Sequence, residues 1–443
     1  MIPGRDRLCS GILILADESA EWRCAGLRQI DRLLLGLNEH AGRVPGHDAL
    51  PVCIYWDQLG STSHVADNRL PHLRLIDHPD EFCAQIAKDN GSIVLISTHL
   101  VIARPTSSSD LDNLLRTAPV CIVPAQDFIA QLSSGSLTSL RQQLRDVEAS
   151  AWQRHLSDAG PREWTYLDSV EAIPACERRL LHGTGKSQDG FVARFVNRPI
   201  SRTLSRILLR TSLLPNQCTL LLLLVPLAGG LFLLRGDYFG FLLGAILFQV
   251  HSALDGCDGE IARLKYLESA TGSKLDEVCD RVATLTYAVA LGIGLSRQPG
   301  SSVPSQWFYL IEGIIAALLI GVGESLLTRV PITQMSQTTT AESNRYPDYV
   351  RRHAPSFNPG DHLKLWIINH SKILFLGEWA TALFSQLTKR DVFNLGFMLL
   401  ALCGRPAWIL HILAAVAGVI LVFGLKSLFV TRLSGARVVR ATD

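Results

Sequence analysis

Four aspartates and one arginine stand at regular spacing within residues 255–280, in a part of the chain that is otherwise strongly apolar. The pattern reads Asp255-x2-Asp258-Gly259-x2-Ala262-Arg263, followed by Gly272, Asp276 and Asp280. In helices, each of these two blocks places its members on one face. Four carboxylates gathered at a membrane edge would repel one another, and divalent cations with oxygen ligands relieve that repulsion. The pattern therefore predicts two ions held by shared carboxylates, an arrangement that catalyses displacement at phosphorus.

Two other interpretations of this block are weaker. A short polar turn, Glu268–Gly272, would let the two helical faces meet, whereas a chance cluster of solvated acids would need neither helical spacing nor apolar flanks. An EF-hand loop requires a different spacing of acids, and Tyr266 stands where its bidentate glutamate should be. A helical metal site remains the better interpretation.

The block resembles, position for position, the signature of the CDP-alcohol phosphatidyltransferase family, D-x2-D-G-x2-A-R-x8-G-x3-D-x3-D. The resemblance implies that Asp255, Asp258 and Asp276 hold two divalent cations, Mg²⁺ or Mn²⁺, with Asp276 bridging them. Asp280 would complete the second ion site and is the candidate general base. The implied reaction is attack by an acceptor hydroxyl on the β-phosphorus of a CDP-alcohol, with release of CMP.

The same resemblance implies a CDP-binding surface on the two helices. Gly259 and Ala262 lack bulk, so a nucleotide could approach the first helix closely, and Gly272 would do the same from the facing helix. Arg263 would bind phosphate through bidentate hydrogen bonds. The alternative for Arg263 is an arginine whose side chain merely extends to the membrane interface.

The overall composition limits the classes of protein to consider. At 443 residues the chain can form two or three domains, and its apolar residues, 48% of the total, concentrate after about residue 187. Mean hydropathy is +0.22. A net charge of +2 gives no support to nucleic-acid binding. Ten cysteines without a C-x-x-C pair favour reduced, buried thiols over a disulfide framework or a zinc site.

Residues 1–180 have the pattern of a small α/β domain with a mostly parallel sheet. We expect buried strands at four short apolar runs, namely Gly11–Ala16, Pro51–Trp56, Ser92–Ser97 and Pro119–Val123. We expect helices at three segments with helical periodicity, namely Arg28–Glu39, Glu81–Lys88 and Ser136–His155.

The opening of this domain resembles a sugar-nucleotidyltransferase that has lost its catalytic residues. Such a loop needs glycines so that backbone N–H groups can close on a triphosphate, and Asp17–Arg23 has none. The expected lysine is absent around Ala25–Arg28, and Thr98 and His99 stand where a metal-binding aspartate is expected. We predict a degenerate nucleotidyltransferase-like domain with a structural or regulatory role. An α/β domain that was never a nucleotidyltransferase gives the same outcome.

Residues 181–214 are predicted to form a polar joint and a juxtamembrane amphipathic helix. The joint, Gly183–Asp189, is not a P-loop, because Leu180 stands where that loop needs a glycine. Within Phe191–Arg210 an arginine recurs at every fourth position, which is typical of a helix lying in the cytoplasmic interface. A solvated basic helix packed on the first domain remains the alternative.

The start of this region resembles the segment before the first membrane helix in bifunctional inositol-phosphate cytidylyltransferase/di-inositol-phosphate-phosphate synthases. Those proteins join a cytosolic nucleotidyltransferase to the same kind of membrane domain, so the layout is similar over most of the chain. The candidate residues for binding an acceptor phosphate or an anionic lipid, two possibilities that stay open, are Lys186, Arg194, Asn197 and Arg198.

Residues 215–435 are predicted to form an all-α integral membrane domain of six transmembrane helices. The apolar segments are Gln217–Leu234, Tyr238–Leu254, Val278–Leu295, Trp307–Leu327, Val392–Cys403 and Trp408–Leu428. Leu363–Leu387 is apolar enough for a further helix lying on or re-entering the membrane. Arg235, Arg297 and Arg405 would lie outside, and most other basic residues of the domain would lie inside.

This charge bias places the aspartates and the first domain on the cytoplasmic side of an inner or plasma membrane. No signal peptide is evident at the start of the chain, which agrees with that placement. We expect a CDP-alcohol donor, an alcohol or phosphorylated alcohol acceptor, the lipid bilayer and, by family resemblance, a second copy of the chain as partners, and no nucleic acid. The alternatives are a catalytically silent membrane scaffold whose first domain binds a partner, and a transporter, which only the helix count and intramembrane acids favour.

Overall fold

A computed structural model describes residues 9–42, 49–56, 69–87, 91–104, 111–133, 137–157, 164–184, 190–298, 303–327 and 389–419, with residues 421, 422 and 425. The chain divides into two compact units. The first contains residues 1–185 with the short segments 206–212 and 261–267, and the second contains the remainder. The predicted domain boundaries at residues 180 and 214 stay predictions.

The first unit is an α/β domain with one central sheet. Its strands are β1 (Gly11–Ala16), β2 (Arg23–Cys24), β3 (Leu27–Arg28), β4 (Leu50–Trp56), β5 (Leu73–Ile76), β6 (Ser92–Ser97), β7 (Leu100–Ile102), β8 (Cys121–Pro124) and β9 (Trp164–Tyr166). The central sheet has the order β5-β4-β1-β6-β8. All neighbours in it are parallel except β8, which pairs antiparallel with β6. The mostly parallel α/β sheet predicted from the sequence is therefore confirmed.

The central strands are continuous apolar runs because both faces of the sheet are covered. Every residue of β1 is buried, as expected of a parallel strand between two helical layers. One layer packs around Ile30 and Leu34, and the other around Phe82 and Phe128. The helices of this unit are α1 (Gln29–Ala41), α2 (Pro79–Ile86), α3 (Leu111–Thr117), α4 (Ala125–Ser133), α5 (Leu137–Ser157) and α6 (Ile173–Gly183).

The second unit is helical throughout its described residues. A π-helical turn at Ala193–Asn197 precedes the first helix. The helices are α7 (Arg198–Leu208), α8 (Pro215–Leu233), α9 (Tyr238–Leu254), α10 (Gly256–Leu264), α11 (Ala270–Ser296), α12 (Val303–Leu327), α13 (Arg390–Leu402) and α14 (Pro406–Val419). The last residues of α7 and α10 fall in the segments that group with the first unit.

Four stretches among the described residues are long and apolar enough to cross a membrane: Pro215–Leu233, Tyr238–Leu264, Ala270–Ser296 and Pro304–Gly323. Large apolar side chains are exposed along them, for example Leu231 (69% exposed), as expected of surfaces that face lipid. The protein is therefore an integral membrane protein. Helix α13 has only 13 residues, so a count of six spans stays a prediction. The segment Leu363–Leu387 lies outside the described residues.

Helix α11, which carries Asp276 and Asp280, packs against α8 and α12, while α9 packs against α8 and α13. Glycines allow the closest of these approaches. A Cβ atom on Gly292 of α11 would lie 2.9 Å from the Cα atom of Gly313 on α12, and the reverse substitution would meet the same obstacle. Any larger residue at this crossing would push α11 away from α12.

Candidate functional site

The first aspartate of the cluster lies at the junction of α9 and α10. Asp255 has helical backbone angles, and its N–H group donates to the carbonyl of His251 at 2.8 Å. The next residue is glycine for a steric reason, since a Cβ atom on Gly256 would lie 2.8 Å from Nη1 of Arg198. The carboxylate of Asp255 is therefore held at the end of a rigid helix.

Asp258 is fixed by a neighbouring helix. Its side chain is buried and accepts a hydrogen bond from the Thr219 hydroxyl of α8 and another from the N–H group of Gly259. Thr219 belongs to the polar start of α8, so the orientation of this aspartate depends on the correct position of that helix.

The second block of the cluster begins at the N-terminus of α11. Ser269 caps this helix and accepts a hydrogen bond from the N–H group of Gly272 at 3.0 Å. A Cβ atom on Gly272 would lie 2.9 Å from Oδ1 of Asn216, so this glycine permits a close approach of α8. The turn comprises residues 265–269 rather than the predicted Glu268–Gly272, because the Ser269 cap already starts the helix.

The two helices bring their aspartates together around one arginine. Arg390, the first residue of α13, donates from Nη2 to Asp255 at 3.0 Å and from Nη1 to Asp280. Asp258 and Asp276 lie close enough for their charges to act on Asp255 as well. The sequence interval between Arg390 and these acids exceeds 100 residues, so the spacing of the aspartate pattern gave no signal for it.

The donor set at this point suits a divalent cation. Ligand atoms of His251, Asp255 and Asp280 all lie within 4.8 Å of one another. Carboxylate oxygens are the ligands that Mg²⁺ and Mn²⁺ prefer, and transition ions also accept imidazole. Arg390 pairs with Asp255 and Asp280, and the charges of Asp258 and Asp276 also act on Asp255, so a bound divalent cation would relieve the repulsion among these carboxylates.

Three of the four predicted acceptor residues are described, and only one is exposed. Arg194 is exposed on the π-helical turn, whereas Asn197 and Arg198 are buried. The Asn197 amide donates to the Ser252 carbonyl at 3.3 Å. Lys186 lies outside the described residues. The structure therefore does not bring these residues together at one surface, and their role in binding an acceptor stays a prediction.

Arg198 is buried, whereas the amphipathic pattern predicts an exposed arginine, because a buried acid lies opposite its side chain. Glu260 of α10 is fully buried and accepts hydrogen bonds from Arg198 Nη1 at 2.9 Å, Ser201 Oγ at 2.9 Å and Ser205 Oγ at 2.7 Å. All three donors lie on one face of α7, at positions three or four residues apart. This polar face of α7 therefore packs on the helix that carries Asp258.

Residues 212–345 match the model of the CDP-alcohol phosphatidyltransferase family. The chain contains a CDP-alcohol phosphatidyltransferase domain. The match covers Asp255, Asp258, Asp276 and Asp280 together with the glycines and Arg263 of the pattern. The resemblance stated from the sequence is thereby confirmed for this part of the chain.

Curated proteins are similar to part of this chain. A protein of Archaeoglobus fulgidus described as a bifunctional IPC transferase and DIPP synthase is 34% identical over 131 residues, 29% of this chain and 26% of that protein. Proteins of the same description from Rubrobacter xylanophilus and Aquifex aeolicus are 30% identical over 214 residues and 35% identical over 133 residues. These matches cover 48% and 30% of each chain, respectively. The chain thus spans about half or less of the length of these relatives.

Within the CDP-alcohol phosphatidyltransferase domain, the predicted CDP-binding residues fall on two helices. Gly259, Ala262 and Arg263 lie on α10, and Gly272 lies in the first turn of α11. His251 also belongs to the aspartate cluster, although the sequence pattern did not predict it. Its position one helical turn before Asp255 is the sequence signal that could have identified it.

A second polar cluster lies in the α/β unit, at the carboxyl ends of β1 and β6. Asp17 caps a 3₁₀ turn by accepting from the Ser19 N–H group at 2.9 Å, and it accepts from Nε2 of His99 at 3.2 Å. The other ring nitrogen of His99 faces the Leu167 carbonyl at 2.6 Å. Both nitrogens therefore face acceptors, which favours the imidazolium form of this side chain.

The ionisation of this second cluster follows from its hydrogen bonds. Burial alone would raise the pKa of Asp17, but the bonds from His99 and Ser19 outweigh it and hold the pKa well below its ordinary value. Burial alone would lower the pKa of His99, but its bonds to Asp17 and Leu167 raise it overall. Asp17 of the loop is therefore not directed freely toward a nucleotide, because its carboxylate is engaged by Ser19 and His99.

Proposed function

We propose that this protein is a metal-dependent membrane phosphotransferase. It transfers a phosphoryl-alcohol group from a CDP-alcohol to an acceptor hydroxyl, releases CMP, and serves phospholipid or inositol phosphodiester synthesis. The observation that carries the proposal is the convergence of the Asp255 and Asp280 carboxylates from two helices, beside Asp258 and Asp276, within a matched family domain. A silent scaffold would have no need to gather four carboxylates around one arginine.

The residues divide the chemistry between them. Asp255, Asp258 and Asp276 would hold two divalent ions, Mg²⁺ or Mn²⁺, and Asp280 would complete the second ion site. These ions when bound neutralise the diphosphate and stabilise the leaving CMP. Asp280 would accept the proton of the acceptor hydroxyl at a carboxylate oxygen. Arg263 would hold donor phosphate, while Gly259, Ala262 and Gly272 leave room for the nucleotide.

The remaining features of the proposal concern the whole chain. Six spans, a cytoplasmic position of the α/β unit and of the aspartates, and a homodimer all belong to it, supported by the charge bias of the loops or by family resemblance. Arg194 and Lys186 remain candidates for binding a phosphorylated acceptor or anionic lipid. The α/β unit has a structural or regulatory role, and another protein makes the donor.

The test uses the full chain in lipid nanodiscs. CDP-diacylglycerol and CDP-inositol serve as donors, each with inositol phosphate or glycerol phosphate as acceptor, and CMP is measured by chromatography with Mg²⁺, Mn²⁺ or a chelator. We expect saturable CMP release from one pair, lost with the chelator and restored by the ion. Release that persists in the chelator would contradict metal dependence, and the absence of CMP from all four pairs would favour the scaffold.

A matched pair of variants connects the activity to the site. Asp258→Asn removes a buried carboxylate of the cluster, whereas Glu277→Gln removes an exposed acid of α11 that pairs with Arg281 one helical turn away. The first variant should lose CMP release and the second should keep it. Equal activity of the two variants would mean that the reaction takes place elsewhere.

A further inference from the structure

His251 is a buried imidazole whose ring makes no hydrogen bond within the part of the chain that the structure describes. The residue is only 8% exposed and lies in the last turn of α9. Histidines inside proteins usually have a hydrogen-bond partner for a ring nitrogen. This ring is instead directed at the aspartate cluster, where its ligand atom meets those of two acids.

The geometry around His251 suits a shared ion. Its nitrogen and the carboxylate oxygens of Asp255 and Asp280 are all within 4.8 Å of one another. Ligands on opposite sides of a small divalent ion, each about 2.1 Å away, are about 4.2 Å apart, so small side-chain adjustments would complete the set. Asp255 follows His251 by four residues and therefore lies on the same helical face.

The surroundings of His251 indicate what it faces. Helix α9 contributes Asp255, α11 contributes Asp280, and α13 contributes the guanidinium of Arg390. A neutral imidazole could donate its lone pair to an ion that both acids also bind. The ion would then give the ring nitrogen a partner and reduce the repulsion between the two carboxylates.

We propose that His251 is a protein ligand of the divalent ion held by Asp255 and Asp280, and that its nitrogen biases this site toward Mn²⁺ over Mg²⁺. Mg²⁺ takes oxygen ligands almost exclusively, whereas first-row transition ions accept imidazole readily. The inference rests on the proposed function only in taking the aspartates as ion ligands. It extends that function by assigning the selectivity of the site to one residue.

The direct test is pulsed electron paramagnetic resonance on the full chain in nanodiscs, loaded with Mn²⁺ alone and purified without a histidine tag. A coordinated imidazole gives a nitrogen modulation of the Mn²⁺ echo. We expect this modulation in the wild type, its loss in His251→Gln, and its retention in His411→Gln. His411 is a suitable control because its ring already bonds to Glu312 at 2.7 Å on other helices of the same unit.

A second measurement addresses selectivity without turnover. Competition between Mn²⁺ and Mg²⁺ at equilibrium gives the ratio of their affinities, which should fall at least about tenfold in His251→Gln, mainly through weaker Mn²⁺ binding. An unchanged ratio, bound Mn²⁺ without nitrogen modulation in the wild type, or no Mn²⁺ binding would each overturn the proposal. The absence of nitrogen modulation in the wild type overturns the proposal even if the variant fails to fold.

The two proposals can fail separately. Nitrogen modulation without CMP release from any donor would retain the ligand role of His251 and remove the proposed reaction. Metal-dependent CMP release without nitrogen modulation would retain the reaction and remove His251 from the site.

Discussion

The polar clusters of the two units differ in how their charges are balanced. At the strand ends of the α/β unit, Asp17 pairs with His99, and Glu148 accepts a hydrogen bond from Tyr166 at 3.1 Å. In the helical unit, Asp255 and Asp280 share the guanidinium of Arg390, and Asp258 and Asp276 lie close enough for their charges to act on Asp255. Among the described residues, the first cluster pairs its acids with protein donors, whereas the second brings several carboxylates close together, where a bound cation would relieve their repulsion.

This difference separates a structural cluster from a site that needs a ligand. A network whose donors and acceptors match one another rigidifies the protein and has little need of a bound ion. A surplus of one charge in a partly buried place is costly unless a ligand of opposite charge binds there. By this criterion we expect the chemistry in the helical unit, and the degenerate nucleotidyltransferase-like character of the α/β unit stays a prediction.

The largest expected effect comes from removing a carboxylate that bridges the two ions. Asp276→Asn should lower CMP release by at least about 10³-fold, because losing an ion removes several kcal/mol of transition-state stabilisation. The rate of CMP release at saturating donor, compared with that of Glu277→Gln, checks this. Near-normal turnover of Asp276→Asn would remove the contrast between the two clusters.

The second prediction separates proton transfer from binding. Asp280→Asn should lower turnover by about 10²–10⁴-fold, the range typical of a lost general base, while much of the donor affinity persists. Equilibrium binding of the CDP-alcohol and single-turnover CMP release give the two quantities. Parallel losses of both would indicate that Asp280 acts as an ion ligand alone.

The third prediction concerns the buried acid behind the site. Glu260→Gln leaves the Arg198 guanidinium buried without a counter-charge, so we expect a loss of about 3–5 kcal/mol in the free energy of unfolding. Unfolding in mixed micelles measures it. The double variant Glu260→Leu/Arg198→Met removes both charges and should recover part of the loss. A double variant as unstable as the single one would show that the ion pair is not the cause.

The α/β cluster should show a smaller, pH-dependent effect. Stability from Asp17 is present above its ordinary pKa of 3.8 and is lost as the pH falls through its lower folded pKa. Stability from His99 is present below its ordinary pKa of 6.5 and is lost as the pH rises through its raised folded pKa. The pair therefore contributes most between pH 3.8 and 6.5.

Asp17→Asn should cost about 1 kcal/mol in that window, a value reduced by solvent screening of the partly exposed carboxylate. Hydrogen exchange of β1 and β6 in the full chain, at about pH 5.5 and about pH 9, measures the difference between wild type and variant. The difference should shrink at the higher pH. The exposed Asp127→Asn in α4 is the control and should show no such trend.

The last prediction is that the α/β unit shows no nucleotidyltransferase activity. Full-length protein incubated with CTP, Mg²⁺ and inositol phosphate should release no pyrophosphate above background, because the Asp17 loop lacks glycine and its acid is engaged by His99. Saturable release would show that the α/β cluster is catalytic after all and would make the protein bifunctional.

Local patterns were sufficient to predict the layers of the α/β unit and the helices that carry the aspartates. Apolar runs identified β1, β4, β6 and β8, whereas β5 escaped because its four residues include the exposed Arg74. Helical spacing identified the two acidic faces without any knowledge of their partners. Both signals are local, because they depend only on the spacing of apolar or acidic residues along the chain.

The missed features are contacts between distant segments. Arg390 joins the cluster from 135 residues beyond Asp255, and no periodicity encodes that contact. The burial of Arg198 depends on Glu260, 62 residues away, so the regular spacing of arginines did not indicate that this one is buried. His251 could have been predicted from local spacing, because it lies one helical turn before Asp255. It was missed because only acidic residues were considered as ion ligands.

The Glu260 contacts also constrain the order in which this protein can be assembled. Helix α7, with Arg198, Ser201 and Ser205, leaves the ribosome before α8 and α9, and Glu260 follows only after both of those helices have been synthesised. Arg198 therefore cannot pair with Glu260 until the hairpin of α8 and α9 has been synthesised and inserted. The Arg198–Glu260 contact forms only once α8 and α9 are in their final positions. The aspartates beside it can be aligned only in a chain that has completed that insertion.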